Sequence, residues 1–144
     1  MPTNVLVPMD YSDLSKKALR RALSLHPDAA ITVLHVIDWH TSDLGPGGWG
    51  DSPNTFEDWL AEAREHAADL FDEAEAIAAE YDTTVATDTA VGDDARQIVQ
   101  YAEDHDVDLV VIGSHGRSIP ARVLLGSVSE TVVRRAPVPV MVVR

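Results

Sequence analysis

The sequence predicts an α/β protein built on a single open, mostly parallel five-stranded sheet with helices on both faces. Three observations predict it. The segments alternate β-α-β-α-β-α-β-α-β along the chain. The strand segments read as continuous apolar runs rather than as in/out alternation, the mark of strands covered on both faces. The 144 residues hold no linker, repeat or low-complexity tract, so residues 1–144 are expected to form one domain with roughly two-thirds of the extended chain's surface buried.

Val5-Leu6-Val7, closed by Pro8, reads as the first strand. Ser12 is placed to cap a helix whose apolar stripe is Leu14, Ala18, Ala22 and Leu25, with Lys16, Lys17, Arg20 and Arg21 on its other faces and Pro27 at its end. Ile31–Ile37 (ITVLHVI) is the second buried strand. Asp38–Asn54 carries Gly45, Pro46, Gly47, Gly48 and Gly50 and reads as a long loop, a class that is often functional. A helix follows to about Tyr81, with Ser52 as cap, Pro53 at its first position and a stripe of Leu60, Ala63, Ala67, Leu70, Ala74, Ile77 and Tyr81. Thr83–Val91 reads as strand three, and Gly92 turns the chain. Asp93 or Asp94 opens a helix carrying Ile98, Val99 and Ala102, and Val107–Ile112 is strand four. After a glycine-rich loop come a short helix near Val128–Arg135 and, past Pro137, a last strand Val138–Val143.

Composition narrows the function. A hydrophobic content of 45% argues against disorder, and the lack of cysteine excludes disulfides and cysteine zinc sites. No apolar run approaches the ~20 residues of a membrane helix, and no secretory signal is visible, so a cytoplasmic protein is expected. A net charge of −13 opposes general affinity for nucleic acid, whose phosphates it repels. That charge is uneven: from Ser114 onward five arginines face one acid, Glu130, giving +4 and leaving −17 on residues 1–113. An anion, if bound, is expected at the C-terminal segment.

Open parallel sheets bind ligands at the carboxyl ends of their strands, where the winding reverses. The ends here are Pro8-Met9-Asp10, Val36-Ile37-Asp38 and the segment from Gly113. The last reads Gly113-Ser114-His115-Gly116, nine further residues, then Gly126-Ser127. Glycines let backbone amides approach a phosphate and tolerate positive φ, and Gly126-Ser127 stands at a helix start, where free N–H groups and the dipole favour an anion. Ser127 can cap that helix or donate its hydroxyl to a phosphate. The segment is neither a Walker A loop nor the dinucleotide fingerprint, which follows the first strand.

GSHGRSIPARVLLGS resembles the G-x2-G-x9-G-S/T motif of the ATP-binding universal stress proteins, with every position filled. VLVPMDYSDLS, LHVID, LVVIGSHG and APVPVMVV resemble that family's framing segments, so the likeness spans the chain. It implies a Rossmann-like fold of the adenine nucleotide alpha hydrolase kind and a cofactor, ATP or the related AMP and ADP, with Mg2+ or Mn2+ on the phosphates. By the same resemblance Asp10 and the Pro8-Met9 backbone hold the adenosine, Val36 lies against the adenine, and Ile112 and Gly113 meet the ribose side. Gly116, Gly126, Ser127 and Val128 supply phosphate contacts, and Arg117 approaches the phosphates. The resemblance also implies a homodimer through strand 138–143. An apolar edge strand is in any case a self-pairing hazard when left uncovered.

Other chemistries fit less well. There is no G-x-S-x-G elbow, and adjacent Ser114 and His115 are not aimed at one another. His35 lies mid-strand, as a satisfied core or edge histidine would, and His26, His40, His66 and His105 show no metal-ligand spacing. A receiver's paired acids and a flavodoxin's phosphate loop after strand one are missing. Trp39, Trp49 and Trp59 are weak candidates for flanking a base. Charge stabilisation of phosphoryl transfer is visible but a positioned nucleophile is not. The leading expectation is therefore a nucleotide-dependent regulatory module of the stress response, read by an unknown protein partner. The alternatives are slow ATP hydrolysis, with Asp10 or His115 as proton handlers, and a ligand-free interaction protein. The acids are mostly Asp and the only lysines are Lys16 and Lys17, a balance expected of a high-salt cytoplasm. Unfolding followed against salt checks this: stability should fall in dilute buffer, and full stability there contradicts it.

Overall fold

The computed structural model describes residues 3–38, 56–115 and 125–144. In chain order the elements are β1 (Asn4–Pro8), α1 (Asp13–Leu25), β2 (Ala30–Ile37), α2 (Phe56–Glu80), β3 (Ala86–Val91), α3 (Asp94–Asp104), β4 (Leu109–Gly113), α4 (Ser127–Arg135) and β5 (Val140–Val143). They form a five-stranded sheet in the order β3-β2-β1-β4-β5, and every pairing is parallel. The expectation of a mostly parallel sheet is met in full. The start of the second helix, with Ser52 and Pro53, lies outside the described residues.

Three strands start later than expected, each for a local reason. Asp82 is left-handed (φ 56°) after α2, and Thr83 donates back to Ala78 O at 3.2 Å, so residues 82–85 close the helix before β3 begins. Asp106 (φ 51°) plays the same part after α3, which delays β4 to Leu109. Pro137 and Pro139 lack a donor, so β5 begins at Val140, and Pro139 contributes only its carbonyl, to Val110 N–H at 3.1 Å. Gly92 does turn the chain, at a φ of 143° that a side chain rarely adopts.

Alternate strand residues face opposite helical layers. Val5, Val7 and Met9 of the first strand pack with Ala18, Leu19, Ala22 and Leu23 of α1 and Leu70, Ala74 and Ile77 of α2. Leu6 faces the other layer, with Leu34, Val36, Val110 and Ile112, beneath Ile98 and Ala102 of α3 and Val132 of α4. Trp59 is 1% exposed and packs with Ile37 and Ala63, so it serves the core and is withdrawn as a partner for a base. Leu25 departs from its expected stripe and is exposed. The buried face of α1 runs through Ala18, Leu19, Ala22 and Leu23, and Leu25 is the last residue of the helix. Tyr81 is exposed because α2 ends at Glu80.

The basic face of α1 meets the acidic α2 through Lys16–Glu73 (3.0 Å) and Arg20–Glu80 (3.1 Å), surface pairs that water screens and that contribute little. On the β3 edge Asp88 accepts from Tyr101 of α3 at 3.0 Å; burial and this bond push the Tyr101 phenol up to about 12. At the amino end of the sheet, Asp108 accepts from Thr3 Oγ1 (2.7 Å), Asn4 N–H (2.9 Å) and Thr3 N–H (3.1 Å), which holds its carboxyl below its ordinary value of 3.8. A depressed folded pKa gives stabilisation that is complete above the unfolded value and lost as pH falls through the folded one. Asp108→Asn should therefore narrow the difference in melting temperature between pH 7 and pH 3. An unchanged difference would remove this carboxylate from the acid response.

Candidate functional site

Parallel strands bring all their carboxyl ends to one edge. The chain winds from β1 outward through β2 to β3, then crosses to β4 and β5, so the winding reverses between β1 and β4. Two segments meet there: residues 8–15 after β1, and residues 113–115 after β4 joined to the start of α4.

Residues 8–15 are tied at nearly every polar group. Met9 N–H continues the ladder to Leu34 O (2.9 Å), and Met9 O lies 2.9 Å from His35 Nδ1. Asp10 Oδ1 accepts from the Ser12 N–H (2.8 Å) and from the Ser12 hydroxyl. Ser12 caps α1 as expected, accepting from Ser15 N–H at 3.2 Å, while Ser15 Oγ lies 2.9 Å from both Asp10 O and Ser12 O. Asp10 is half-buried and thus does organise the turn locally, as an acid before a helix often does, while standing at the carboxyl end of β1. Pro8 is buried, and Met9 (3% exposed), Val36 (8%) and Ile112 (6%) place their side chains in the two cores. Any contact these three make with a ligand is made mainly by main chain.

Across the reversal point, Ser114 is the anchor. Its N–H donates to Val143 O at 2.8 Å, extending the β4–β5 ladder. Its carbonyl accepts both the Gly126 N–H (2.6 Å) and the Ser129 hydroxyl (2.6 Å), which also lies 3.1 Å from Gly126 O. The two ends of the glycine-rich loop are thereby joined. Gly116 and Arg117 lie outside the described residues, as does most of the expected long loop, with Trp39, His40 and Trp49.

Two of the motif glycines are also places of close approach. Neither Gly113 nor Gly126 adopts positive φ. A Cβ on Gly126 would stand 3.2 Å from His115 Cα, and one on Gly113 would stand 3.1 Å from Leu14 Cγ. Both distances are tighter than a Cβ ordinarily makes, so a larger residue at either position would need its neighbour to give way by a few tenths of an ångström. The Ser114 amide, engaged by β5, is not a donor for an anion.

The N-cap of α4 is Gly126, with no side-chain cap bond, so Ser127 is the first helical residue and not the cap. Ser127 is exposed and Val128 half-buried. The first intrahelical bond is Glu130 N–H to Gly126 O (2.9 Å), so the amides of residues 127–129 precede the helix's own ladder. Glu130 could oppose an anion there, but its carboxylate pairs with Arg134 one turn further on, at 2.9 Å. Three residues escaped the sequence reading: Ser15, Ser129 and His35 in its bond to Met9. Ser129 was marked only by its spacing, three residues past Gly126, where an inward hydroxyl reaches back to the helix entry. Among the described residues no three His, Asp or Glu side chains converge as a metal site, and no helix is long and apolar enough to cross a membrane.

A family model described as the universal stress protein family matches residues 1–144. The Bacillus subtilis universal stress protein YxiE is 34% identical over 150 aligned positions, covering all of both chains. Universal stress protein UspA from Lactobacillus plantarum superposes with a TM-score of 0.77 at 31% identity, over 99% of this chain and 97% of its own. A universal stress protein solved in complex with cAMP shares the fold, with a TM-score of 0.72 at 24% identity over 99% and 97% of the two chains. The parallel topology, the joined loop ends and these likenesses together show that the chain belongs to the universal stress protein family.

Proposed function

We propose that the chain binds an adenine nucleotide, ATP or the related AMP and ADP, in the crevice between the carboxyl ends of β1 and β4, and works as a nucleotide-dependent regulatory module of the stress response. One observation carries this reading. Ser114 O draws Gly126 and Ser129 to the end of β4 at 2.6 Å, which sets the glycine-capped start of α4 at the point where the winding reverses. Helix amides behind a glycine N-cap, which has no side chain to occupy them, suit phosphate at the positive end of the dipole. Local charge agrees, since the chain from Ser114 onward is net positive in a protein of net −13. That a protein of this fold holds cAMP is consistent with it; at 24% identity the likeness carries the fold alone.

In this reading Asp10 and the Pro8-Met9 main chain face the adenosine, Val36 borders the base, and Ile112 and Gly113 border the ribose. Gly116, Arg117, Gly126, Ser127 and Val128 take the phosphates. Mg2+ or Mn2+ would ride on the phosphate oxygens, which suits a hard cation that keeps its waters, rather than in a cage of protein ligands. Ser127→Asp separates this proposal from a merely structural helix start. A carboxylate at the first helical position favours the dipole, so the melting temperature should hold or rise. It should also repel a phosphate, so Mg-ATP affinity measured by calorimetry should fall about tenfold or more, a change of ~1.4 kcal/mol. Equal affinity in the variant and the native protein would move the phosphates away from α4.

The dimer is proposed on similar grounds. β5 is the terminal strand of the sheet, and Val140, Met141 and Val142 are only half-buried. Two copies pairing along this edge would satisfy its free backbone groups. Val140→Lys should convert the protein to a monomer on gel filtration. An unchanged elution volume would take this strand out of the interface.

A further inference from the structure

We propose that His35 is the positioning residue of this crevice: through Met9 O it sets the geometry of the turn that carries Asp10. The proposal rests on the nucleotide reading above for its ligand, but its physical content stands on the turn alone. His35 is 2% exposed and lies on the α1/α2 side of β2, the neighbour of β1. Its Nδ1 is 2.9 Å from the Met9 carbonyl. A carbonyl only accepts, so Nδ1 carries the proton and the tautomer is fixed. The Tyr11 ring meets the His35 ring edge-on at 5.2 Å and the ring of His66 from α2 at 5.0 Å, closing the turn from the helix side.

The position of that bond gives it leverage. β1 ends at Pro8, which has no N–H, and the last main-chain bond that ties its end to β2 is the Met9 N–H on Leu34 O. From Met9 O onward the path is set by side chains: His35 on Met9, Ser12 on Asp10 Oδ1, and Ser15 on Asp10 O. His35 is the only one of these three contributed by the sheet. Ser12 and Ser15 belong to the turn and helix they stabilise, so they move with it. Removing the imidazole leaves a buried carbonyl unsatisfied, at the hinge between a fixed strand and the Asp10 carboxylate. A peptide rotation there would carry Asp10 away from the crevice without unfolding the sheet.

Two substitutions separate positioning from packing. His35→Leu fills the volume without a donor, and His35→Asn restores a donor near the place of Nδ1. In the nucleotide-free protein, the Ser12 and Ser15 amides should exchange with solvent about tenfold faster in His35→Leu and near the native rate in His35→Asn. In calorimetry with Mg-ATP, His35→Leu should lose about tenfold in affinity, and His35→Asn should stay within about threefold of native. In an Asp10→Ala background the His35→Leu loss should shrink to less than about threefold, because the residue it positions is gone. The proposal is overturned if His35→Asn behaves like His35→Leu, if the full loss persists without the Asp10 carboxylate, or if the exchange rates do not move. If the native protein takes up no Mg-ATP, the nucleotide reading fails, and the exchange measurement alone decides whether His35 sets the turn.

Discussion

The Ser114 carbonyl is the acceptor on which the arrangement depends. It takes the Gly126 N–H and the Ser129 hydroxyl, both at 2.6 Å, while the same residue's N–H completes the pairing of β4 with β5. A single buried residue thus fixes the end of a central strand, the edge strand beside it and the start of α4. Without that junction the amides of residues 127–129 would have no set relation to the Asp10 turn across the reversal point. Glycine suits position 126, where a Cβ would stand 3.2 Å from His115 Cα. Close packing at this junction favours glycine at 113 and 126 and holds the start of α4 in place.

The fold was legible in the sequence because its signals are local and repeated. Apolar runs such as Val5-Leu6-Val7 and ITVLHVI, separated by helical stripes, leave few alternatives to a parallel layered sheet. Strand starts were less legible. They depend on Asp82 and Asp106 taking left-handed φ, and a propensity scale ranks aspartate only modestly for that conformation. Trp59 shows the opposite difficulty. An aromatic beside a glycine-rich loop suggests stacking, yet the residue lies a turn into α2 and faces Ile37, which only the three-dimensional packing reveals.

The site was legible in outline and not in mechanism. Spacing located Gly113, Gly126 and Ser127 at one edge of the sheet. It did not show that Ser127 leaves the cap to Gly126, nor that Ser129 supplies the inward hydroxyl, because cap geometry turns on backbone angles at a single residue. His35 read as an ordinary core histidine, and burial alone supports that. Its bond to Met9 pairs residues 26 apart in sequence, brought together by the β1–β2 register, and no local pattern encodes such a pair.

The two halves of the crevice differ in how they are held. The Asp10 side is organised before any ligand arrives, by hydrogen bonds within residues 9–15 and from His35. The α4 side offers the amides of a glycine-capped helix start in a net-positive stretch of an acidic chain. The most direct measurement is a titration of nitrogen-15-labelled protein with Mg-ATP, read amide by amide. The account predicts shifts at both Met9–Ser12 and Ser127–Ser129, with little change at Asp93, Gln100 and Glu103, which with Thr131 and Arg135 line a groove between α3 and α4. Shifts confined to that groove, or no shift at either side of the reversal point, would contradict it.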